Sequence, residues 1–445
     1  MVKFTLHSSL ILSTLALLSG CGSNVEDLSL NTGPIMGAPN KGVFITRVNG
    51  LEYTRTFVPV AQLTTVDSTY DYRTGEPIMF HIGNLEIGEA LGLAILTPKE
   101  IVSYKNLELN TSINSNEVNN RVRVLMSLDE DSDPSNGIKI SDTTRELAKN
   151  WSTPDYNLAE SAFTNELKDS TRSYFDNKPI ATKAAAKKQF ASELRCVYSG
   201  AYSGQWLLPN GARSGFVGVM IQSSNTVDIN SSLGTIVTLG DGQDLNGDGL
   251  AQEYLFARGT HDMDTGSYVF NETGEFKNGG IIPSDQNVSG DGESISYDKV
   301  VGSFKQIIDG KPQYGSYEAV RVGQGQDSAY RYTGFGYDNN SSDENRSSDP
   351  ILGLFTFDVD RNGTVVGLIH DARNNEEPAL KGKVDFNVSV DNISMSLTYP
   401  NNGGTFLIKG TLAFDGTVNL DWFDANGTIK YGYIAGVGCQ LQAHN

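Results

Sequence analysis

The residues of this chain best suited to chemistry are oxygens gathered in short acidic loops. In GDGQDLNGDGLAQEYLFARG, Asp244, Asn246 and Asp248 stand at alternate positions ahead of Gly249. That spacing matches the D-x-N-x-D-G core of a calcium loop, because a hard divalent cation needs several oxygens presented by one tight turn. Leu250 offers a backbone carbonyl and Glu253 a further carboxylate, while Leu255 stands where an EF-hand would carry its bidentate Glu. A polar hairpin turn is the competing reading. In SLDEDSDPSNGIKI, Asp129, Asp131 and Asp133 occupy the first, third and fifth positions of the same pattern, but Pro134 replaces its Gly and Ile140 its Glu. Here the preferred reading is a capped helix end. Asp133, Ser135 and Asn136 would bond the exposed backbone and Gly137 would take a left-handed conformation, with calcium as the weaker alternative. Calcium is thus the expected cofactor, with Asp244, Asn246, Asp248, Leu250 and Glu253 ranked ahead of Asp129, Asp131 and Asp133. His261, Asp262 and Asp264 in GTHDMDTG are read as a plain turn, able to add ligands to the first loop.

Catalytic patterns are missing from the sequence. It holds no G-x-S-x-G elbow, H-E-x-x-H helix, Walker loop or paired-cysteine metal motif. Beyond the leader the histidines are His81, His261, His370 and His444. His370-Asp371 follows a strand, yet no nucleophile pairs with it from sequence, so no enzyme is expected. The aromatic stretches YSGAYSGQW, YRYTGFGYDNN and LDWFDANGTIKYGY read mainly as core, with a barrel mouth or a carbohydrate-binding face as the alternative. A net charge of −19 argues against nucleic acid or anionic lipid as a partner. It suits divalent cations, and equally a well-solvated surface.

The elements that must position these groups change period along the chain. Residues 42–105 carry short alternating runs broken by Gly50, Gly75, Gly83 and Gly88, which predicts a small β-sandwich. In 106–195 the spacing turns helical. Val118, Val122, Leu125 and Met126 predict an amphipathic helix capped by Asn114 or Ser115, and PIATKAAAKKQFASELRC predicts another that starts at Pro179. These make a helical connector. Residues 196–445 return to strands, with Asn362-Gly363, Asp415-Gly416 and Asn426-Gly427 as hairpin turns between apolar runs. The expected fold is mainly β: a small N-terminal β-sandwich, an α-helical linker, and a larger C-terminal antiparallel β-barrel or β-sandwich.

The N-terminus MVKFTLHSSLILSTLALLSGCGS has a positive Lys3 and an apolar run from Leu10 to Leu18, the pattern of a secretion signal over residues 1–20. Leu18-Ser19-Gly20-Cys21 resembles the bacterial lipobox, and that resemblance implies cleavage before Cys21 and a lipid on its sulfur. An ordinary cleaved signal is the alternative. Gly22, where Asp would favour inner-membrane retention, points by the same resemblance to the outer membrane. Residues 21–41, rich in Gly, Ser, Asn and Pro, read as a flexible tether. With Cys21 lipidated, Cys196 and Cys439 remain in an oxidising compartment and suggest one disulfide, two buried thiols being the alternative.

The segments NGLEYTRTF, TTVDSTYDYRTGEPIMFHIGNLEIGEALGLAILTP and VNNRVRVLMSLDEDSDPSNGIKIS resemble the N-terminal region of a family of uncharacterised gammaproteobacterial lipoproteins and surface proteins. There a β-sandwich similar to carboxypeptidase-regulatory or pre-albumin-like modules precedes a helix and an LDxDxDPSNGI turn. ELRCVYSGAYSGQW, FTFDVDRNGTVVG and GTLAFDGTVNLDWFDANGTIKYGYIAG are similar to β-rich domains that follow in some of those proteins. The resemblance implies architecture and no activity. Together these readings predict a lipid-anchored envelope protein that binds or adheres to a protein or glycan, attached to the membrane through its N-terminal lipid and stabilised by calcium. The alternatives are a structural or assembly accessory of the outer membrane and, behind it, an envelope hydrolase.

Overall fold

The computed structural model describes residues 38–107, 111–211, 214–222, 232–240, 254–277, 280–282, 288–308, 311–325, 328–338, 351–371, 377, 379–384, 393–398, 405–413 and 416–441. The chain opens with strands β1 (Asn40–Phe44), β2 (Val48–Asn49), β3 (Glu52–Arg55), β4 (Val58–Leu63), β5 (Thr69–Tyr72), β6 (Pro77–Ile82), β7 (Leu85–Leu91) and β8 (Ile95–Leu96). They form a four-stranded antiparallel sheet in the order β4-β3-β6-β7 and a three-stranded sheet β5-β1-β8. Alternation in PIMFHI turns Ile78, Phe80 and Ile82 of β6 inward, as a half-buried strand requires.

Five helices follow among the described residues: α1 (Pro98–Asn106), α2 (Asn116–Ser127), α3 (Asp142–Ala148), α4 (Glu160–Ser170) and α5 (Lys183–Tyr198), with β9 (Ile138–Lys139) after α2. Local chemistry starts them. Thr97 and Glu100 close a capping box on α1, with Pro98 inside its first turn. Ser115 caps α2 and Thr182 caps α5 through their side-chain oxygens. Helix α2 is buried from Glu117 to Leu125 because it lies between two cores. Its Val124 and Leu125 join Phe80, Ile87 and Phe163 beneath the N-terminal sheets. Its Val118 and Val122 join Phe190 and Leu194 of α5 in a core continuous with the next β body.

That body comprises β10 (Gly200–Leu207), β11 (Ser214–Gln222), β12 (Ser232–Gly240), β13 (Tyr254–Asp262), β14 (Ser267–Lys277), β15 (Gly280–Ile282), β16 (Val288–Ser296), β17 (Lys299–Ile308) and β18 (Lys311–Val322). Its order is β13-β12-β11-β10-β18-β17-β16-β14-β15 with β13 also paired to β14, so hydrogen bonding runs through eight strands back to its start. The last strands, β19 (Ser328–Asp338), β20 (Ile351–Asp360), β21 (Thr364–Asp371), β22 (Ala379–Val384), β23 (Ile393–Thr398), β24 (Thr405–Leu412), β25 (Thr417–Phe423) and β26 (Lys430–Gln440), form a closed barrel. The mainly β fold with a barrel is therefore the one expected from sequence. Asn362-Gly363 and Asn426-Gly427 do turn hairpins, each Gly with positive φ.

Both bodies pack aromatic rings over glycines of the neighbouring strand. Tyr268 faces Gly292, Phe270 Gly290, Tyr317 Gly302 and Phe304 Gly315 in the first; Tyr332 faces Gly438, Phe355 Gly334 and Trp422 Gly432 in the barrel. A Cβ at any of these glycines would collide with the facing side chain, so the glycines are spaces that rings fill.

A disulfide and an arginine hydrogen bond join the bodies. Cys196 near the end of α5 is disulfide-bonded to Cys439 on β26, with Cα atoms 5.4 Å apart across 243 residues of sequence. Arg331 on β19 grips Asp358 on β20 through Nε and Nη2 at 2.8 and 2.9 Å, and its Nη1 donates to Ser199 O. Arg321 on β18 donates to Val197 O and to the Tyr202 hydroxyl. Both ion-pair partners are buried, where Arg suits a bidentate carboxylate.

Candidate functional site

Helix α2 delivers the chain directly into the acidic turn. Asp129, 7% exposed, accepts the Lys139 N–H at 2.8 Å on Oδ1, and Glu130 N–H donates to Lys139 O, closing the neck of the turn. Asp131 is exposed and accepts from Asp133 N–H and Asn136 Nδ2, both at 2.9 Å. Asp133 accepts from Ser135 N–H and Oγ and caps a single 3-10 turn, Pro134–Asn136. Ser132 and Gly137 both carry positive φ, as the sharp reversal demands. Beyond it, Ile138 pairs in parallel with Val48 of β2.

The turn rests on buried charge. Arg47 Nη2 donates to Ser135 O while its Nε reaches Glu193 of α5 at 3.2 Å, and Gln189 Nε2 donates to Pro134 O. Burial pushes the Glu193 carboxyl upward against the pull of Arg47.

The capped-turn reading thus accounts for every hydrogen bond of Asp131 and Asp133. It leaves Asp129 Oδ2 over: this oxygen is buried and receives no donor. Burial, then contact with the Asp131 carboxylate, pushes the Asp129 carboxyl up to about 6, against the pull of the Lys139 N–H. Among the described residues no three carboxylate, imidazole or thiolate side chains converge as a ready-made metal cage. The turn brings together two carboxylates.

The loop carrying Asp244, Asn246, Asp248, Leu250 and Glu253 lies outside the described residues, as does Cys21. In GTHDMDTG the structure finds a structural hairpin. Asp264 accepts from Ser112 Oγ and Ile113 N–H at 2.8 and 2.6 Å, and its carbonyl accepts from buried Lys99 Nζ at 2.7 Å. His261 is fully buried, 3.1 Å from Ser294 Oγ and packed between the Tyr198 and Tyr268 rings. That burial, reinforced by Lys99, lowers its pKa to about 3. The hairpin therefore clamps the start of α1 and the 112–114 segment to the first β body.

His370 is buried where the barrel meets that body. Its Nδ1 lies 3.4 Å from Glu377 Oε1 and its ring abuts Gly218 of β11; Glu377, held low first by His370, also contacts Ser203 of β10. Of the aromatic stretches, Tyr198, Tyr202, Trp206, Tyr330, Tyr332, Trp422 and Tyr433 are core residues, and Tyr431 is exposed. Sequence reasoning missed Arg47–Glu193, Lys99–Asp264 and Arg331–Asp358. None carries a local signal, because each partner is chosen by the fold.

No protein-family model and no curated protein sequence matches the chain. A solved structure of transferrin binding protein B, a vaccine antigen of Haemophilus parasuis studied as a double mutant, is similar at 10% identity. The match covers 55% of this chain and 76% of that one, with a TM-score of 0.18.

Proposed function

We propose that the protein is a lipid-anchored envelope protein acting as a non-catalytic binding or adhesion module for a protein or glycan. The observation that carries this reading is the lock between the two β bodies. The disulfide from α5 to β26 and the bond from Arg331 Nη1 on β19 to Ser199 O at the junction of α5 and β10 hold them in one compact unit, Pro39–Asn445. A scaffold fixed in that way suits presentation of inter-strand loops, where recognition surfaces concentrate. The histidines and acids that sequence singled out at 261, 264 and 370 are engaged in packing rather than facing one another across a cleft. Leu18-Ser19-Gly20-Cys21 supports attachment through a lipid on Cys21, and the apolar run before it suits export.

Metabolic labelling with a radioactive fatty acid and membrane fractionation test the anchor. Wild-type protein takes up label and sediments with the outer membrane, whereas Cys21→Ala does neither. Protease added to intact cells tests surface binding. Degradation is the expected result. Full protection that disappears once the outer membrane is permeabilised would replace the adhesion reading with an inward-facing accessory.

A further inference from the structure

We infer that the open edge of β4 is an interface between two copies of this chain, paired antiparallel about Gln62 so that their four-stranded sheets join into one of eight strands. β4 ends the order β4-β3-β6-β7, with β3 as its neighbour among the described strands. Thr64 N–H donates to Leu51 O and Gln62 pairs with Tyr53, so these residues turn their backbone groups toward β3. Alternation turns the N–H and C=O groups of Ala61 and Leu63 the other way, where a further strand would lie.

The two ends of this sheet are finished differently. At β7, Glu86 N–H donates to Thr153 Oγ1 at 2.9 Å, Glu86 O accepts the Tyr156 hydroxyl at 2.7 Å, and Ile87 O accepts Arg121 Nε at 2.7 Å. Side chains from the helical region thus occupy that edge. Among the described residues no side chain bonds the backbone of Val58–Leu63. Open N–H and C=O groups along an edge are a template for another strand, which proteins blunt with lysine, an inward charge, proline or a cover. β4 has one such residue, Pro59, close to its start.

The chemistry of the edge selects a second copy. From Phe57 to Val66 the run FVPVAQLTTV has no charged residue, in a chain of net charge −19. Phe57, Val60 and Leu63 are 57, 70 and 47% exposed. Two molecules of that charge repel over most of their surface, so the contact that costs least is one that brings no carboxylates together. An uncharged strand paired with itself meets that condition, and a two-fold axis closes the contact so that no third copy adds. Centred on Gln62, Ala61 of each copy exchanges both backbone bonds with Leu63 of the other, and Pro59 stays outside the ladder. A register that sets Ala61 opposite itself places Pro59 against Leu63 and leaves that Leu63 carbonyl without a donor. One six-residue strand pair buries less than the roughly 1,200 Å² of a standard interface, so the association is weak in dilute solution.

Sedimentation equilibrium on the mature full-length chain with Cys21→Ser, which removes both lipid and stray thiol, reads the association. A monomer–dimer equilibrium is expected, with a dissociation constant in the micromolar range or weaker. Ala61→Pro removes an N–H that the chain's own sheet does not use, and Val60→Lys brings ammonium groups to the seam from an exposed position. Each should weaken the dimer at least about tenfold and leave the unfolding midpoint of the monomer in place. The thiol of Gln62→Cys faces its counterpart across the two-fold, with Cα atoms about 4.5 Å apart, and should cross-link on mild oxidation. That of Val60→Cys, offset by four positions or about 13 Å, should not. A chain that stays monomeric at every concentration overturns the proposal. So does a dimer that Ala61→Pro and Val60→Lys leave intact, which means that another face pairs. Cross-linking through Val60→Cys in preference to Gln62→Cys overturns the register.

Discussion

The two β bodies share one packing device and close in different ways. In the barrel, β19 meets β26 along its length, residues 330–338 pairing with 440–432. In the first body, closure between β14 and β16 rests on residues 267–270 against 293–290. Two of its four aromatic–glycine pairs, Tyr268 over Gly292 and Phe270 over Gly290, sit on that short seam, and the Tyr317 hydroxyl donates to that of Tyr268 at 2.9 Å. A long seam distributes closure over many hydrogen bonds. A short one depends on what fills the space behind it.

The largest effect is expected where the bodies meet. Arg331→Met leaves Asp358 buried without its cation, with only Ser328 Oγ and Gly325 N–H donating to it, removes the bond to Ser199 O across the junction, and should cost about 3 to 5 kcal/mol in urea unfolding. If the two bodies depend on the Arg331–Ser199 contact, one transition splits into two; a single unshifted transition would show that Arg331 contributes no coupling. Removing the disulfide with Cys196→Ser and Cys439→Ser comes next, at about 2 to 4 kcal/mol, read as the midpoint difference between variant and oxidised wild type. Wild type under reductant should reproduce the variant.

The seams can be compared directly. Gly292→Val forces the Tyr268 ring aside and should cost about 1 to 3 kcal/mol. Hydrogen exchange is expected to quicken across β14 and β16 and to stay unchanged in β19 and β26. Gly438→Val, which meets Tyr332 on the long seam, should cost a similar amount without selective opening of β19–β26 amides. Equal seam exchange in the two variants would remove the distinction.

The effect smallest at neutral pH is expected from His261 in the first body, and it is read as a pH slope. Burial lowers the His261 pKa to about 3, so the unfolded chain takes up a proton near its ordinary value of about 6.5 while the folded chain does not. Stability is then full above about 6.5 and falls as pH drops toward 3, by at most about 1.4 kcal/mol per unit. His261→Gln should flatten that limb between pH 6 and 4. A slope unchanged by the substitution would assign acid sensitivity to other groups.

Legibility in the sequence followed the range of the interaction. Ser115 caps α2, and Asn362-Gly363 turns a hairpin, through atoms a few residues apart, so residue type alone announces them, whereas α5, expected from Pro179, begins at Lys183 because the Thr182 side chain supplies its cap. The pairing of Cys196 with Cys439 was legible for a different reason: with Cys21 set aside, two cysteines leave one combination. Glycine content was legible as turns, yet Gly292, Gly302 and Gly438 lie inside strands, each opposite a ring. Nothing in YSGAYSGQW or GYIAGVGC states which strand supplies the ring.

The acidic turn divides along the same line. Alternation of Asp129, Asp131 and Asp133, and the turn residues after them, were determined by the sequence, because an Asp at a turn bonds the backbone two residues on, as Asp131 and Asp133 do. That Asp129 alone sinks beneath the surface with one oxygen unpaired was decided by the tertiary structure. Its burial follows from α2 lying between two cores and from Arg47 and α5 closing over the turn. Burial is a property of everything that packs around a group, and those neighbours come from 47 and 193 as well as from 129.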